Sequence, residues 1–164
     1  MMKPPIKPGD VHVYVDGKHN VEKVYDSNGK LLHTFQVFPH GINGPNQAVR
    51  GGDTVENLYK LGKPRWTQPN EDEANDKRPY GWVFIPMLDV EGKQTAVGRA
   101  GFGAHGGGEW GDYWAPKQKL TYTMGCVRHH NEDAKTLAQL VEKTHQSGHT
   151  VWMSVDQPGG GGQV

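Results

Sequence analysis

The chain has 164 residues, enough for one domain that buries roughly two-thirds of the surface its unfolded form exposes. Its 18 basic and 18 acidic side chains cancel and no Lys/Arg run is present, which argues against nucleic acid or an anionic membrane as partner. Glycine (23 residues) and proline (11) are abundant while 34% of the chain is apolar, so the expectation is a loop-rich globular domain.

Residues 1–9 lack an apolar core long enough for a signal peptide, and no stretch is long enough to span a bilayer as a helix. As written, the product is expected in the cytoplasm, with the periplasm reached only by a non-classical export route. The expected organisation is a flexible segment over 1–10, one folded domain over 11–156 and a Gly-rich disordered tail over 157–164.

In chain order, residues 11–15 alternate apolar and polar and predict a strand. Residues 21–25 and 31–38 follow, separated by a turn containing Asn28 and Gly29, a pair that tolerates positive φ and signals a hairpin. The opening third therefore reads as an antiparallel meander. Residues 54–61 fit a short strand or a helical turn equally. Residues 62–81, with Pro64, Pro69, Pro79 and the cluster Glu71, Asp72, Glu73, read as a surface excursion. Residues 82–85 predict a core strand ending at Pro86, and residues 98–105 a second strand with little side-chain bulk. The one convincing helix starts after Asn131 as N-cap, carries Glu132 and Asp133 in its first turn, and aligns Ala134, Leu137, Leu140, Val141 and Thr144 on one face. Gly148 suits its C-terminal stop, and residues 150–155 close the domain as a strand.

Cys126 is the only cysteine, so it forms no internal disulfide and builds no Cys-rich metal cage. It is either a small buried hydrophobe or a nucleophile. A free thiol with a pKa of about 8.5 is only slightly ionised at neutral pH and needs a base within reach. His105, inside a Gly-rich block, is the candidate base. Gly125 supports a tight turn before the thiol, and converging backbone N–H groups there suit an oxyanion hole. On this reading His105 raises the thiolate fraction and, once protonated, stabilises the thiolate. His129 with His130, and His145 with His149, invite a metal reading, but no metal motif accompanies them, and neither a metal nor a cofactor is expected.

The block from Arg99 to Gly108 (Arg-Ala-Gly-Phe-Gly-Ala-His-Gly-Gly-Gly), then Thr123-Met124-Gly125-Cys126-Val127-Arg128, then the Asn-Glu-Asp helix start, together resemble the L,D-transpeptidase catalytic domain (YkuD type). The resemblance covers residues 98–155 well, with a faint echo at Gly51-Gly52-Asp53-Thr54 that lacks the family's proline. It implies a mainly β, antiparallel sandwich-like fold with one main helix after the cysteine. It also implies Cys126 as nucleophile, His105 as base and the Gly106 carbonyl as the group orienting the imidazole. Met124, Gly125 and Cys126 would supply the oxyanion hole. Arg128, Arg99, Thr123, Gly107, Trp110 and Trp114 would contact substrate, with Trp110, Tyr113 and Trp114 either a lid over the site or a patch on the core. Arg99 is as readily a surface residue. Many relatives carry a second histidine where this chain has Met124, a replacement compatible with a role played by the backbone N–H.

The implied chemistry is attack of the thiolate on the L-centred carbonyl of a peptidoglycan stem tetrapeptide, loss of terminal D-alanine, and passage of the thioester to water or an amine. Implied partners are stem peptides or soluble muropeptides, and an immunity protein if the chain is an antibacterial or phage-borne effector. A non-catalytic muropeptide-binding relative is the alternative.

Overall fold

The computed structural model describes residues 3–67, 80–108 and 111–158. The meander expected from the first third is present as β1 (Val11–Asp16), β2 (Val21–Tyr25) and β3 (Leu31–Phe38), paired antiparallel in sequence order. Alternation acts as expected in β1, where Val11, Val13 and Val15 are buried. The hairpin differs in detail from an Asn-Gly turn with two positive-φ residues. Asp26 accepts the Asn28 and Lys30 amides through its carboxylate, at 2.9 Å each, only Gly29 has positive φ (+84°), and the register shifts at Val24/Tyr25.

The segment that fitted strand or helix equally forms β4 (Asn57–Leu61), followed by the two-residue β5 (Arg65–Trp66). The next strand, β6 (Val83–Asp89), runs through Pro86 instead of ending there. Proline is tolerated because its carbonyl still accepts the Gly62 amide at 2.8 Å and the ladder resumes at Met87, whose N–H donates to Phe102. A single helical turn, α1 (Lys93–Ala96), was not expected from the sequence. The strand predicted over 98–105 shrinks to β7 (Gly103–His105), since Gly98 and Gly101 adopt φ of +72° and +78° and break the extended backbone. Then come β8 (Val127–His129), α2 (Asn131–Gln146) and β9 (Val151–Asp156).

The strand order is β4-β9-β1-β2-β3-β8-β7-β6-β5, and β4 also pairs with β6, so the sheet curls into a barrel-like closure. The mainly β fold with one main helix is as expected, with two parallel joints, β1–β9 and β7–β8, in otherwise antiparallel pairing. A parallel neighbour needs a long crossover, and residues 106–126 provide it between β7 and β8. That crossover ends on Cys126, immediately before β8.

Helix α2 buries Ala134, Leu137, Ala138, Val141 and Thr144 against the sheet, with Leu140 packed at the margin. Asn131 is not the N-cap. His130 occupies that position, while Asn131 is the first helical residue and turns its buried side chain toward the 107 and 113–115 backbone. Asp10, at the end of the segment read as flexible, is buried and accepts the Thr150 amide and the Trp152 indole N–H at 3.0 and 3.2 Å. Residues 159–164 of the Gly-rich tail, and the Glu71, Asp72, Glu73 cluster, lie outside the described residues.

His129 is fully buried in an ion pair. Its Nε2 lies 2.9 and 3.0 Å from the two carboxylate oxygens of Glu22 on β2, and its Nδ1 lies 3.1 Å from the Val127 carbonyl. Both ring nitrogens face acceptors, so both carry protons. Burial works against the charge, but Glu22 overrides it and holds the His129 pKa above the usual imidazole range. Among the described residues no group of three or more His, Cys, Asp or Glu side chains is placed to hold a metal ion.

Candidate active site

Neighbouring parallel strands bring the two candidate reacting groups together. His105 ends β7, Cys126 immediately precedes β8, and the register pairs Ala104 with Val127 and His105 with Arg128. Both side chains line one cavity of about 320 Å³, shared with Tyr80, Phe102, Tyr122 and Met124. The thiol accepts the Gly103 amide at 3.3 Å and is 9% exposed, enough to reach the cavity but little more.

His105 is fixed on three sides. Its Nδ1 donates to the Gly106 carbonyl at 2.8 Å, which leaves Nε2 unprotonated in the neutral ring and able to accept a proton. Phe84 stacks on the imidazole at a centroid distance of 5.7 Å, and Tyr80 meets it edge-on at 5.1 Å. The Gly106 carbonyl is itself held, accepting Arg128 Nη1 at 3.0 Å. Burial first, and the Arg128 charge second, lower the His105 pKa to about 3. Burial pushes the Cys126 thiol up to about 11, against smaller opposing effects from the Gly103 amide, Arg128 and Arg99. Both shifts favour the neutral form of the thiol and of the imidazole, whereas the sequence reading expected a thiolate stabilised by imidazolium.

The turn before the thiol is built by Thr123. Its Oγ1 accepts the Gly125 N–H at 3.0 Å and donates to the Cys126 carbonyl at 2.9 Å. Gly125 has φ of +126°, and a Cβ there would collide with the Arg99 guanidinium and the Phe102 ring, so glycine is required. Of the expected oxyanion-hole donors, the Gly125 amide is thus already committed, leaving the amides of Met124 and Cys126 as candidates.

A family model for the L,D-transpeptidase catalytic domain (YkuD) matches residues 10–153. The chain belongs to this family. Solved structures agree at the level of fold. A Bdellovibrio bacteriovorus protein, Bd1075, superposes with a TM-score of 0.61 at 16% identity over 90% of this chain and 47% of its own. The helical cell shape determining protein Pgp2 of Campylobacter jejuni gives 0.57 at 16% identity over the same shares. The avibactam carbamoyl enzyme of Ldtfm gives 0.54 at 15% identity, covering 91% of this chain and 49% of that one. The chain spans about half the length of these structures. No curated protein matches it in sequence.

Within this L,D-transpeptidase fold the remaining expected site residues take varied positions. Arg128 lines the thiol cavity, but it is buried and donates to the carbonyls of Gly106, Thr121 and Tyr122, so it serves as a brace. Arg99 is neither a surface residue nor free to meet a substrate carboxylate. It is 8% exposed and donates to the carbonyls of Gln47, Gly52, Asp53 and Met124 at 2.6 to 3.0 Å. Thr123 lines the cavity with its hydroxyl spent on the turn. Gly107 is buried, its N–H on Asn131 Oδ1 and its carbonyl on Gln118 Nε2. Trp114 stands away from the thiol cavity, its carbonyl accepting the Trp82 indole N–H at 2.9 Å. Tyr113 and Ala115 are tied to Asn131 through their carbonyls, so the described part of the expected lid is anchored at the start of α2. Trp110 lies outside the described residues.

Sequence reasoning missed Tyr80, Phe84, Gln118 and Asn131. The first two fix the imidazole face. Gln118 donates to the Gly107 and His129 carbonyls and accepts the Asn131 amide, closing a buried polar clamp behind the Gly106–Gly107 turn. The signal available was slight: polar residues adjoining the Gly-rich blocks.

Proposed function

We propose that this domain is a cysteine-dependent acyl transferase on peptidoglycan stem peptides. It cleaves the bond between the L-centre and terminal D-alanine of a tetrapeptide and passes the acyl group to water or an amine. The observation that carries the reading is one cavity lined by both Cys126 and His105, with the Gly106 carbonyl holding the imidazole so that Nε2 is its proton acceptor.

A buried pair whose neutral forms are favoured fits the following order of events. Sγ attacks the substrate carbonyl as its proton moves to His105 Nε2, forming a tetrahedral adduct whose oxyanion the Met124 and Cys126 amides can meet. His105 then returns the proton to the departing D-alanine nitrogen as the carbon–nitrogen bond breaks, leaving a thioester. Water or an amine attacks that thioester, losing a proton to His105 as the carbon–sulfur bond breaks. A second reading, a muropeptide-binding relative without turnover, draws on the burial of the thiol and the resting neutrality of the pair.

Mass spectrometry separates the two. The Ldtfm structure carries an avibactam carbamoyl group, so avibactam is a suitable probe here. The expected result is one adduct on Cys126, absent in Cys126→Ala and slowed by about 10²-fold or more in His105→Ala. Incubation with tetrapeptide muropeptide should release D-alanine. Stoichiometric binding with neither adduct nor D-alanine would establish the non-catalytic reading instead.

A further inference from the structure

A second cavity, of about 350 Å³, adjoins the thiol cavity and shares Ala100, Phe102 and Met124 with it. Its other walls come from Ala48, Arg50, Gly51 and residues 97–99. Met124 is half-exposed and stands at the boundary, and its Cε would lie 3.2 Å from a Cβ placed on Gly51. The thioether thus extends from the residue two before the thiol across to the residue next to Arg50.

Two arginines line this cavity, and they have opposite fates. Arg99 is consumed by four backbone carbonyls. Arg50 is exposed, and among the described residues no carboxylate pairs with it. Its backbone is nevertheless held in place. The Arg50 carbonyl accepts Asn43 Nδ2 at 2.9 Å, the Gly51 carbonyl accepts the Asn43 amide at 2.8 Å, and the carbonyls on either side of this turn, at Gln47 and Gly52, are those gripped by Arg99. An exposed guanidinium carried on a held backbone at the wall of a cavity, with no carboxylate partner among the described residues, is suited to a carboxylate. Among the described residues lining the thiol cavity the cation is Arg128, and it is spent on carbonyls.

We propose that this second cavity receives the acyl acceptor, and that Arg50 binds the carboxylate of an acceptor bearing its amine and carboxylate on the same carbon. Met124 is the divider over which the amine reaches the thioester. The inference rests on the acyl-transfer reading above and names the acceptor class within it. The neutral amine attacks the thioester carbonyl, the carbon–nitrogen bond forms and the carbon–sulfur bond breaks. The amine proton passes to His105 Nε2 and from there to the departing sulfur. Two sources present this chemistry: a free D-amino acid, and the distal centre of a diaminopimelate side chain in a second stem peptide.

The test follows discharge of the thioester formed from tetrapeptide muropeptide, measured by mass spectrometry against rising acceptor concentration. D-methionine should saturate at a concentration about tenfold lower than D-methioninamide in the natural chain. Arg50→Gln should remove that preference, and Arg50→Lys should restore most of it. A stem tripeptide containing diaminopimelate should respond to Arg50→Gln as D-methionine does, whereas one containing lysine, whose amine has no neighbouring carboxylate, should not. Response to the tripeptide alone identifies cross-linking as the source, and response to D-methionine alone identifies exchange. A thioester that forms but discharges without distinguishing acid from amide, or into water at every acceptor concentration, overturns the acceptor assignment and leaves the acyl-transfer reading intact. Failure to form any thioester overturns both.

Discussion

The meander with α2 and the loops around Cys126 are held together by different means. In β1, β2, β3 and α2 the positions follow apolar periodicity, and Val13, Val15, Val24, Leu137 and Val141 are fully buried in one continuous core. Around the thiol, residues 41–54, 98–102 and 121–126 contribute backbone without regular pairing, and buried polar side chains satisfy their carbonyls one by one. Among the described residues Arg99 grips four such carbonyls, while Arg128 holds those of Gly106, Thr121 and Tyr122, and Gln118 and Asn131 hold two each in the adjoining backbone. A hydrophobic core tolerates loss of one packing partner by relaxing. A loop carbonyl buried without its donor has no such recourse, so the second region is the more brittle.

The largest expected effect breaks that second region directly. Arg99→Met removes the donor from four buried or half-buried carbonyls. Leaving them unsatisfied should cost about 3–5 kcal/mol in a urea titration and slow avibactam adduct formation at Cys126 in the protein that remains folded. Leu137→Ala, on the fully buried face of α2, should cost about 2–5 kcal/mol through its cavity and leave the adduct rate of the folded fraction within about twofold. If the two variants slow the adduct equally, the distinction between the regions is lost.

The same contrast explains what could be read in advance. Val11, Val13 and Val15 announce β1 because alternation is a property of neighbours in sequence, and Ala134, Leu137 and Val141 announce α2 for the same reason. Cys126 and His105 were legible because their Gly-rich surroundings are local too. Arg99 was not, because its partners at Gln47, Gly52 and Asp53 are distant in sequence and are backbone atoms, which carry no residue identity. The sequence offered Arg128 and Arg99 as substrate contacts, with Arg99 as readily a surface residue, whereas the exposed cation on that cavity is Arg50. Asn131 shows the same blindness at a helix terminus. Its type and position suit an N-cap, but its amide group is drawn into the Gly107, Tyr113 and Ala115 backbone, and His130 takes the cap position.

The pH response sharpens the comparison, since one buried histidine lies in the thiol site, the other on β8 is paired with Glu22 of the meander, and the two move oppositely. His105 has a pKa of about 3, so between the ordinary imidazole value of about 6.5 and that point the unfolded chain takes up a proton the native state refuses. Its contribution to stability is complete above about 6.5 and is lost as pH falls toward 3, and His105→Gln should flatten that acid limb. His129 has a raised pKa, so its contribution is complete below about 6.5 and is lost as pH rises through the folded value. Cys126 adds a loss at the alkaline end, as the unfolded thiol ionises before the buried one near 11. Alkylation of Cys126 by iodoacetamide should climb steadily from pH 6 to 9 with no plateau. A plateau near neutrality would reveal a thiolate–imidazolium pair and overturn the neutral resting state.

The smallest expected effect isolates a single hydroxyl in the brittle region. Thr123 Oγ1 accepts from Gly125 and donates to the Cys126 carbonyl, so one atom fixes both ends of the turn that presents the thiol. Thr123→Ser retains both bonds and should stay within about 1 kcal/mol of the natural chain, while Thr123→Ala forfeits both and should cost about 1–2 kcal/mol. The adduct rate should divide the same way, near normal in the serine variant and several-fold lower in the alanine variant, because a loosened Gly125 no longer holds the Cys126 amide toward the developing oxyanion. Rates lowered equally in the two variants would mean that the methyl group, not the hydroxyl, shapes this turn, and rates normal in both would mean that neither does.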